Sequence, residues 1–394
     1  MSLTALTVRG PFRGPSGYEH HVREFVRELH RQGVAVELID VPGWGPARLA
    51  EAQRDPWFDT LGNPIGARTV LQFCMPHQVR RFADRLSVNY TMFEATRIPR
   101  HWVKRALEQA LVILPTESSR RAWLASGVPA EKLRVCPLGI DPTLFQSRPA
   151  ALPLRLESGR SVVEHRTRFL NVSELGPRKN LIGLLRAWLL GTTRQDDAVL
   201  ILKLGSYLPG ERERFERELA RLQARLGRSL ADAAAVCFVF DVFADAEMPR
   251  LFASATHYLS LSHGEGWDQS MVEAAASGLR LIAPRHSAYP TYLDPSVAQL
   301  IPCREVPATV PADSGLQTFF GGANWWEPDE QAAIDCLRRA IAGQDAPTHS
   351  ARERVLRDFT WEKATRRLVA ILEDLEAPGW GRRFWSRLPW SRRS

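Results

Sequence analysis

The chain has little lysine. Of its 52 basic residues only five are lysines (Lys104, Lys132, Lys179, Lys203 and Lys363), and the rest are arginine. The formal charge of +8 and the pI near 9.6 are thus an arginine excess spread along the chain, which fits coding bias as readily as a functional basic surface. Basic residues interleaved with base-stacking aromatics are missing outside the C-terminus, so nucleic acid is not an expected partner. Cysteine is also scarce. The five (Cys74, Cys136, Cys237, Cys303 and Cys336) are far apart and form no CxxC pair, which excludes a disulfide framework or a thiolate metal site and leaves reduced, packed thiols. No run approaches the roughly 18 apolar residues of a spanning helix, and Met1 to Phe12 lacks the basic and apolar regions of a secretory signal. The expectation is a cytoplasmic protein. There is no Asp-x-Asp triplet and no histidine cluster, so neither a metal nor any other cofactor is expected. Short repeats and low-complexity tracts are absent as well.

What is present is alternation. At 394 residues, with 44% hydrophobic and 24% charged composition, the chain is long enough for two domains with separate cores. The apolar run Leu3 to Val8 is followed by a Gly/Pro-rich loop. A helical pattern follows at Tyr18, Val22, Phe25, Val26 and Leu29, then Gly33 as a stop and the strand-like Val34 to Val41. Strand, helix and strand patterns return at Leu111 to Pro115, Glu117 to Ser126 and Leu133 to Pro137. The polar stretch Gln146 to His165 has the look of a linker. Beyond it come strand-like Arg168 to Val172, Ala198 to Leu204, Val236 to Asp241, His257 to Ser262 and Leu279 to Ala283, with Glu211 to Leu226 the best helix between them. Each half carries a β/α series, which predicts an α/β protein of two parallel-sheet, nucleotide-type domains facing a cleft.

The segment with most chemistry is Ser262-His-Gly-Glu-Gly-Trp-Asp-Gln-Ser-Met-Val-Glu-Ala-Ala-Ala-Ser-Gly278. It leaves a strand, crosses a glycine-containing loop and starts a helix, placing Glu265 at the carboxyl edge where open parallel sheets bind ligands and Glu273 on the helix after it. Amides near Gly266 to Ser270 would offer donors and a helix dipole to an anionic or sugar oxygen. Two solvated acids near a helix start is the plainer reading. The segment closely resembles the signature of glycosyltransferase family 4, a group with the GT-B fold, in which two glutamates are separated by seven intervening residues within Glu-Gly-aromatic, Glu-Ala and Gly. The resemblance implies two Rossmann-like domains facing a central cleft, with a C-terminal helix crossing back to the first. It also implies that Glu265 bonds donor-sugar hydroxyls and Glu273 the nucleotide ribose. Trp267-Asp268-Gln269 departs from the common Phe-Gly-Leu-Pro and implies extra polar contacts to the sugar, with Gly266 and Ser270 beside them.

Further segments extend the resemblance. In Phe169 to Trp188, Arg178 and Lys179 follow a strand, and the family pattern gives such a pair the donor diphosphate; a charge at a helix start is the alternative. Ser16 and Gly17, in Gly14-Pro-Ser-Gly-Tyr-Glu19, match the glycine-rich loop that closes over the donor phosphate, although Ser16 could equally be a helix cap. Glu94 stands where many relatives have a histidine, as an acceptor-side or catalytic-cleft residue or a salt-bridge partner. His77 and His101 are weaker candidates. Leu111 to Pro129 and Pro137 to Phe145 match the run into the interdomain crossover, and Phe359 to Ala364 the closing helix.

The implied domains are 1–145 with a helix at about 360–376 (acceptor side), 146–359 (donor side) and a basic, Trp-rich tail, 377–394. The implied activity is retaining, metal-independent transfer from a nucleotide-diphosphate sugar to a hydroxyl in glycan, polysaccharide or glycolipid synthesis. Arg178 and Lys179 would stabilise the departing diphosphate in front-face attack. The alternatives are an epimerase or phosphorylase of the same fold and a non-catalytic carbohydrate-binding protein. The tail 379–394, with five arginines and three tryptophans, suits an anionic membrane interface and hence a lipid-linked acceptor, or is a disordered extension.

Overall fold

The computed structural model describes residues 2–45, 48–145, 149–206, 210–311, 314–344, 346–347 and 349–378. The tail segment 379–394 lies outside the described residues. In chain order the first elements are β1 (Ala5–Arg9), α1 (Gly17–Arg31), β2 (Ala35–Ile39), β3 (Thr69–Phe73), β4 (Leu86–Tyr90), α2 (Arg100–Glu108), β5 (Leu111–Leu114), α3 (Glu117–Ala125) and β6 (Leu133–Val135). Then come β7 (Thr167–Glu174), α4 (Leu181–Gly191), β8 (Ala198–Gly205), α5 (Glu211–Leu226), β9 (Ala235–Val239), α6 (Met248–Ala253), β10 (His257–Leu259), α7 (Gln269–Ala276), β11 (Arg280–Pro284) and β12 (Gln299–Ile301). The last are β13 (Cys303–Pro307), α8 (Gln317–Phe320), β14 (Asn324–Pro328), α9 (Glu330–Ala342), α10 (Arg352–Asp358) and α11 (Trp361–Glu376).

The chain forms two compact units. One comprises the chain up to Phe93, Arg97–Gly139 and the chain from Phe359 on; the other comprises Glu94–Thr96 and Ile140–Asp358. Each holds a six-stranded sheet, in the orders β2-β1-β3-β4-β5-β6 and β12-β11-β10-β7-β8-β9, and every pairing within both is parallel. Parallel strands joined by helices are covered on both faces and so read as unbroken apolar runs. Leu111 to Leu114 and Val199 to Leu202 are accordingly buried throughout.

In the first unit α1 ends where Gly33 takes φ +81°, a conformation that a Cβ would strain. Helix α11 packs on α1, with Trp361 edge-on to Phe25 at 5.3 Å between ring centroids. In the second unit the core lies between β7, β8, α4 and α9, around Phe169, Leu200, Leu202, Trp188 and Leu337. The Trp188 indole N–H, which burial would otherwise leave unpaired, donates to the Ala234 carbonyl at 3.0 Å.

Two features differ from the sequence reading. Past Pro149 the expected linker is packed structure: Leu152 and Val162 are buried, and Leu152 N donates to Arg250 O at 3.2 Å. Strand β3 was not anticipated, because Gln72 breaks its apolar run; its amide is buried but satisfied by Arg80 O and Ser87 Oγ at 2.9 and 2.8 Å. All five cysteines are free thiols and four are buried. Among the described residues no helix is long and apolar enough to cross a membrane.

Candidate active site

The strand order of the second unit puts β7 beside β10, although they are far apart in sequence. Here the direction of winding reverses, so the loops leaving the two strands diverge and open a crevice at the carboxyl edge. The loop after β7 carries Arg178 and Lys179; the loop after β10 carries Glu265.

The first loop is a single 3-10 turn, Pro177–Lys179, closed by Asn180 at φ +50°. Asn180 accepts from Gly183 N (3.2 Å) through Oδ1, capping α4, and donates through Nδ2 to Leu261 O (2.9 Å). One side chain therefore starts a helix and ties the two loops together. Arg178 adds more ties. Its carbonyl accepts from His263 N at 2.8 Å, and its guanidinium donates to Gly264 O at 2.7 Å and to Glu174 Oε1 at 2.9 Å.

The second loop answers with a carboxylate. Glu265 Oε2 accepts from Arg178 Nη1 at 2.9 Å and Oε1 from Lys179 Nζ at 2.8 Å, with the carboxylate 5% exposed and each cation 15%. Burial alone would raise this carboxyl, but Arg178 and Lys179 overcome it and hold it at about 2. Arg178 is driven the other way: burial would lower it, and Glu265, Glu94 and Glu174 keep it firmly charged. Gly264 sets the approach of the chain. A Cβ there would lie 2.2 Å from the carbonyl oxygen of Glu94, so no larger residue fits without moving backbone.

Glu94 lies four residues beyond β4 and packs with the second unit. Its carboxyl is raised, first by burial and then by the charge of Glu265, against the pull of Arg178 and Lys179. Gly266 is buried in the loop. Trp267, 2% exposed, is an interior side chain whose ring packs on Tyr292 at 5.3 Å, and its carbonyl accepts from Tyr292 Oη at 2.8 Å. Asp268, at φ +63°, caps α7 through Met271 N (3.2 Å) and accepts from Tyr289 Oη (2.8 Å). Burial and then Glu265 push its carboxyl up to about 6. Gln269 and Ser270 open α7, and Glu273, five positions into it, is buried.

In the first unit Ser16 is the N-cap of α1 in a capping box. Its Oγ donates to Glu19 Oε2 at 2.7 Å and its N to the same oxygen at 3.1 Å, while Glu19 N reaches Ser16 Oγ at 3.4 Å. Gly17, exposed, is the first helical residue. The cap reading of Ser16 thus holds whatever else the loop binds.

Sequence reasoning passed over Asn180 as a site residue and missed His286 and Ser287, which stand just past β11 at the same carboxyl edge. That edge rule, applied to a third strand, is the signal that would have found them.

Two Rossmann-like units, one with a charged crevice at its switch point, define an α/β protein with the GT-B fold. Solved proteins of this fold superpose along nearly the whole chain. The Anabaena protein HepE in complex with UDP and glucose is 17% identical, with a TM-score of 0.60 over 94% of this chain and 100% of that one. Sucrose-phosphate synthase of Thermosynechococcus elongatus is 16% identical, with a TM-score of 0.64 over 94% and 99%. The UDP-forming trehalose-phosphate synthase of Burkholderia vietnamiensis is 13% identical, with a TM-score of 0.64 over 96% and 98%. In sequence the chain is similar to an MMP α-(1→4)-mannosyltransferase of Mycolicibacterium hassiacum, 28% identical over 276 residues. That match covers 68% of this chain and 56% of the relative, so the chain spans little more than half of that protein's length. No protein-family model matches the chain.

Proposed function

We propose that the chain is a retaining, metal-independent glycosyltransferase that moves a sugar from a nucleoside-diphosphate sugar to an acceptor hydroxyl. The observation that carries this reading is the buried clasp of Glu265 on Arg178 and Lys179 at the switch point of the second unit. Cleavage of a sugar–diphosphate bond places negative charge on the departing phosphate and positive charge on the anomeric carbon. Two cations in a crevice with little water are worth most against charge that develops there. In the reading proposed, the diphosphate takes Arg178 and Lys179 from Glu265, and the released carboxylate turns to the sugar hydroxyls. Glu273 takes the ribose, and the amides of Gly266 to Ser270 line the donor with the polar side chains of Asp268, Gln269 and Ser270. Glu94, with its raised carboxyl, belongs to the acceptor side. The departing phosphate accepts the acceptor's proton, so no protein nucleophile, metal or other cofactor is required.

As donors to try first we take nucleoside-diphosphate mannose and UDP-glucose, a choice supported by the likeness to a mannosyltransferase and to a protein solved with UDP and glucose. The acceptor we favour is a glycan or a lipid-linked sugar, met in the cytoplasm. The tail 379–394 would supply a peripheral membrane contact.

The test is a donor screen. Protection against thermal unfolding by UDP, GDP, ADP and their sugars reports binding by mass action, and transfer is then measured with the donor that protects. Full activity in EDTA is the expected result. Activity that disappears in EDTA and returns only with a divalent ion would overturn the metal-free mechanism.

A further inference from the structure

The loop that carries Glu265 is gripped from the side opposite Arg178 by a short segment just past β11. Ser287, at φ +45°, accepts from Glu265 N through Oγ at 3.0 Å. His286 Nε2 lies 2.8 Å from the carbonyl oxygen of Ser262, and its Nδ1 lies 2.8 Å from Ser287 Oγ. A carbonyl oxygen can only accept, so Nε2 carries the proton. Burial pushes the imidazole down to about 3, which keeps the ring neutral and leaves Nδ1 bare to accept from the Ser287 hydroxyl. The bonds therefore run in one sense: Glu265 N–H to Ser287 Oγ, Ser287 O–H to His286 Nδ1, and His286 Nε2–H to Ser262 O.

The ring is fixed as well. It stacks on Trp326 of β14 with centroids 5.1 Å apart and planes 9° from parallel. Three and six residues further on, Tyr289 Oη donates to Asp268 and Tyr292 Oη donates to the Trp267 carbonyl, each at 2.8 Å. Segment 286–292 thus meets the Glu265 loop at Ser262, Glu265, Trp267 and Asp268. Of the four non-glycine residues with positive φ among the described residues, three (Asn180, Asp268 and Ser287) bond this loop or belong to it. Such conformations persist where surrounding structure over-determines them, and they gather where a site must be held in one geometry.

We propose that Ser287 and His286 are positioning residues that fix the backbone of Glu265, so that its carboxylate meets the donor in one geometry. The proposal rests on the glycosyltransferase reading for its kinetic consequence but not for its structural one. Removing the hydroxyl frees the Glu265 amide without removing the carboxylate or either cation.

Ser287→Gly is the informative variant, because glycine accepts φ +45° without strain while lacking the hydroxyl. Hydrogen exchange at peptides containing the Glu265 amide, nucleoside-diphosphate affinity, and kcat and KM for the donor are measured on the full chain. The expected result is exchange at least about tenfold faster, an affinity and KM within about threefold of the parent, and kcat lower by about tenfold to a hundredfold, the scale of a small misplacement of a reacting group. Unchanged exchange and unchanged kcat would overturn the proposal. His286→Gln keeps an N–H for Ser262 and is expected to restore part of the kcat lost in His286→Ala; equal loss in the two also counts against it. Should the parent protein neither bind a nucleotide nor transfer a sugar, the functional reading fails, while the exchange comparison still decides whether Ser287 holds Glu265.

Discussion

Replacing Glu265 by glutamine keeps the shape of the clasp and removes its charge. In the parent, two cations lie 2.9 and 2.8 Å from a carboxylate that is 5% exposed. Taking one partner from a buried ion pair costs about 3–5 kcal/mol, chiefly because the remaining charge is left unpaired. Here the loss is smaller, since Glu174 still bonds Arg178 at 2.9 Å and the glutamine oxygen still accepts one hydrogen bond. About 2–4 kcal/mol is expected at pH 7. The sign with pH follows from the depressed carboxyl. Its contribution is complete above the unfolded value of about 4 and is lost as pH falls toward about 2, so the gap between parent and variant closes across that interval. Affinity moves the opposite way. A diphosphate no longer has to displace a carboxylate, so UDP or GDP binds about tenfold more tightly, equivalent to about 1.4 kcal/mol, while sugar transfer collapses. Lys179→Ala should weaken the same binding. Thermal unfolding from pH 2 to 8 and titration calorimetry with the nucleotide read both effects. Weaker nucleotide binding in Glu265→Gln, together with unchanged stability at pH 7, would refute the exchange of carboxylate for phosphate.

Three further outcomes are expected. Gly264→Ala forces a methyl within 2.2 Å of the Glu94 carbonyl oxygen; stability falls by about 1–3 kcal/mol and nucleotide protection is lost, as thermal unfolding with and without ligand will show. Asp268→Asn suits the left-handed backbone and keeps the cap on α7. A carboxyl raised to about 6 contributes to stability below its unfolded value and loses that contribution as pH rises through 6, so the variant should gain about 3 kcal/mol over the parent at pH 8 and almost nothing at pH 4. Asn180→Ala removes a cap and leaves at φ +50° a residue that tolerates the left-handed region less readily than asparagine; about 2 kcal/mol should be lost in urea unfolding, with weaker nucleotide binding because Arg178 and Lys179 stand on that turn.

Several helices, and most strands of the second unit, were open to sequence reading because their causes are local, whereas α9 (Glu330–Ala342) was not picked out. Glu211–Leu226 shows its apolar stripe and its glycine stop without reference to any other part of the chain. Strand β3 was hidden because Gln72 looks like a surface residue until Arg80 and Ser87 are seen to satisfy it. Ser16 was read with two roles open, and its bonds to Glu19 establish the cap. Trp267 was assigned to the donor from its neighbours in sequence, whereas its ring lies in the interior against Tyr292.

From the sequence alone came the alternation that makes parallel sheets and the identity of the charged residues on two separate loops, since both follow from side-chain period and residue chemistry over short stretches. That the two loops belong to one crevice came from the tertiary structure. Strand β10 could have been added at either edge of the sheet, and only its pairing with β7 brings residue 265 to residues 178 and 179. The grip of His286 and Ser287 has the same origin: β11 must lie beside β10 before its outgoing loop can reach Glu265, and a contact between residues distant in the chain is a property of packing that no local pattern records.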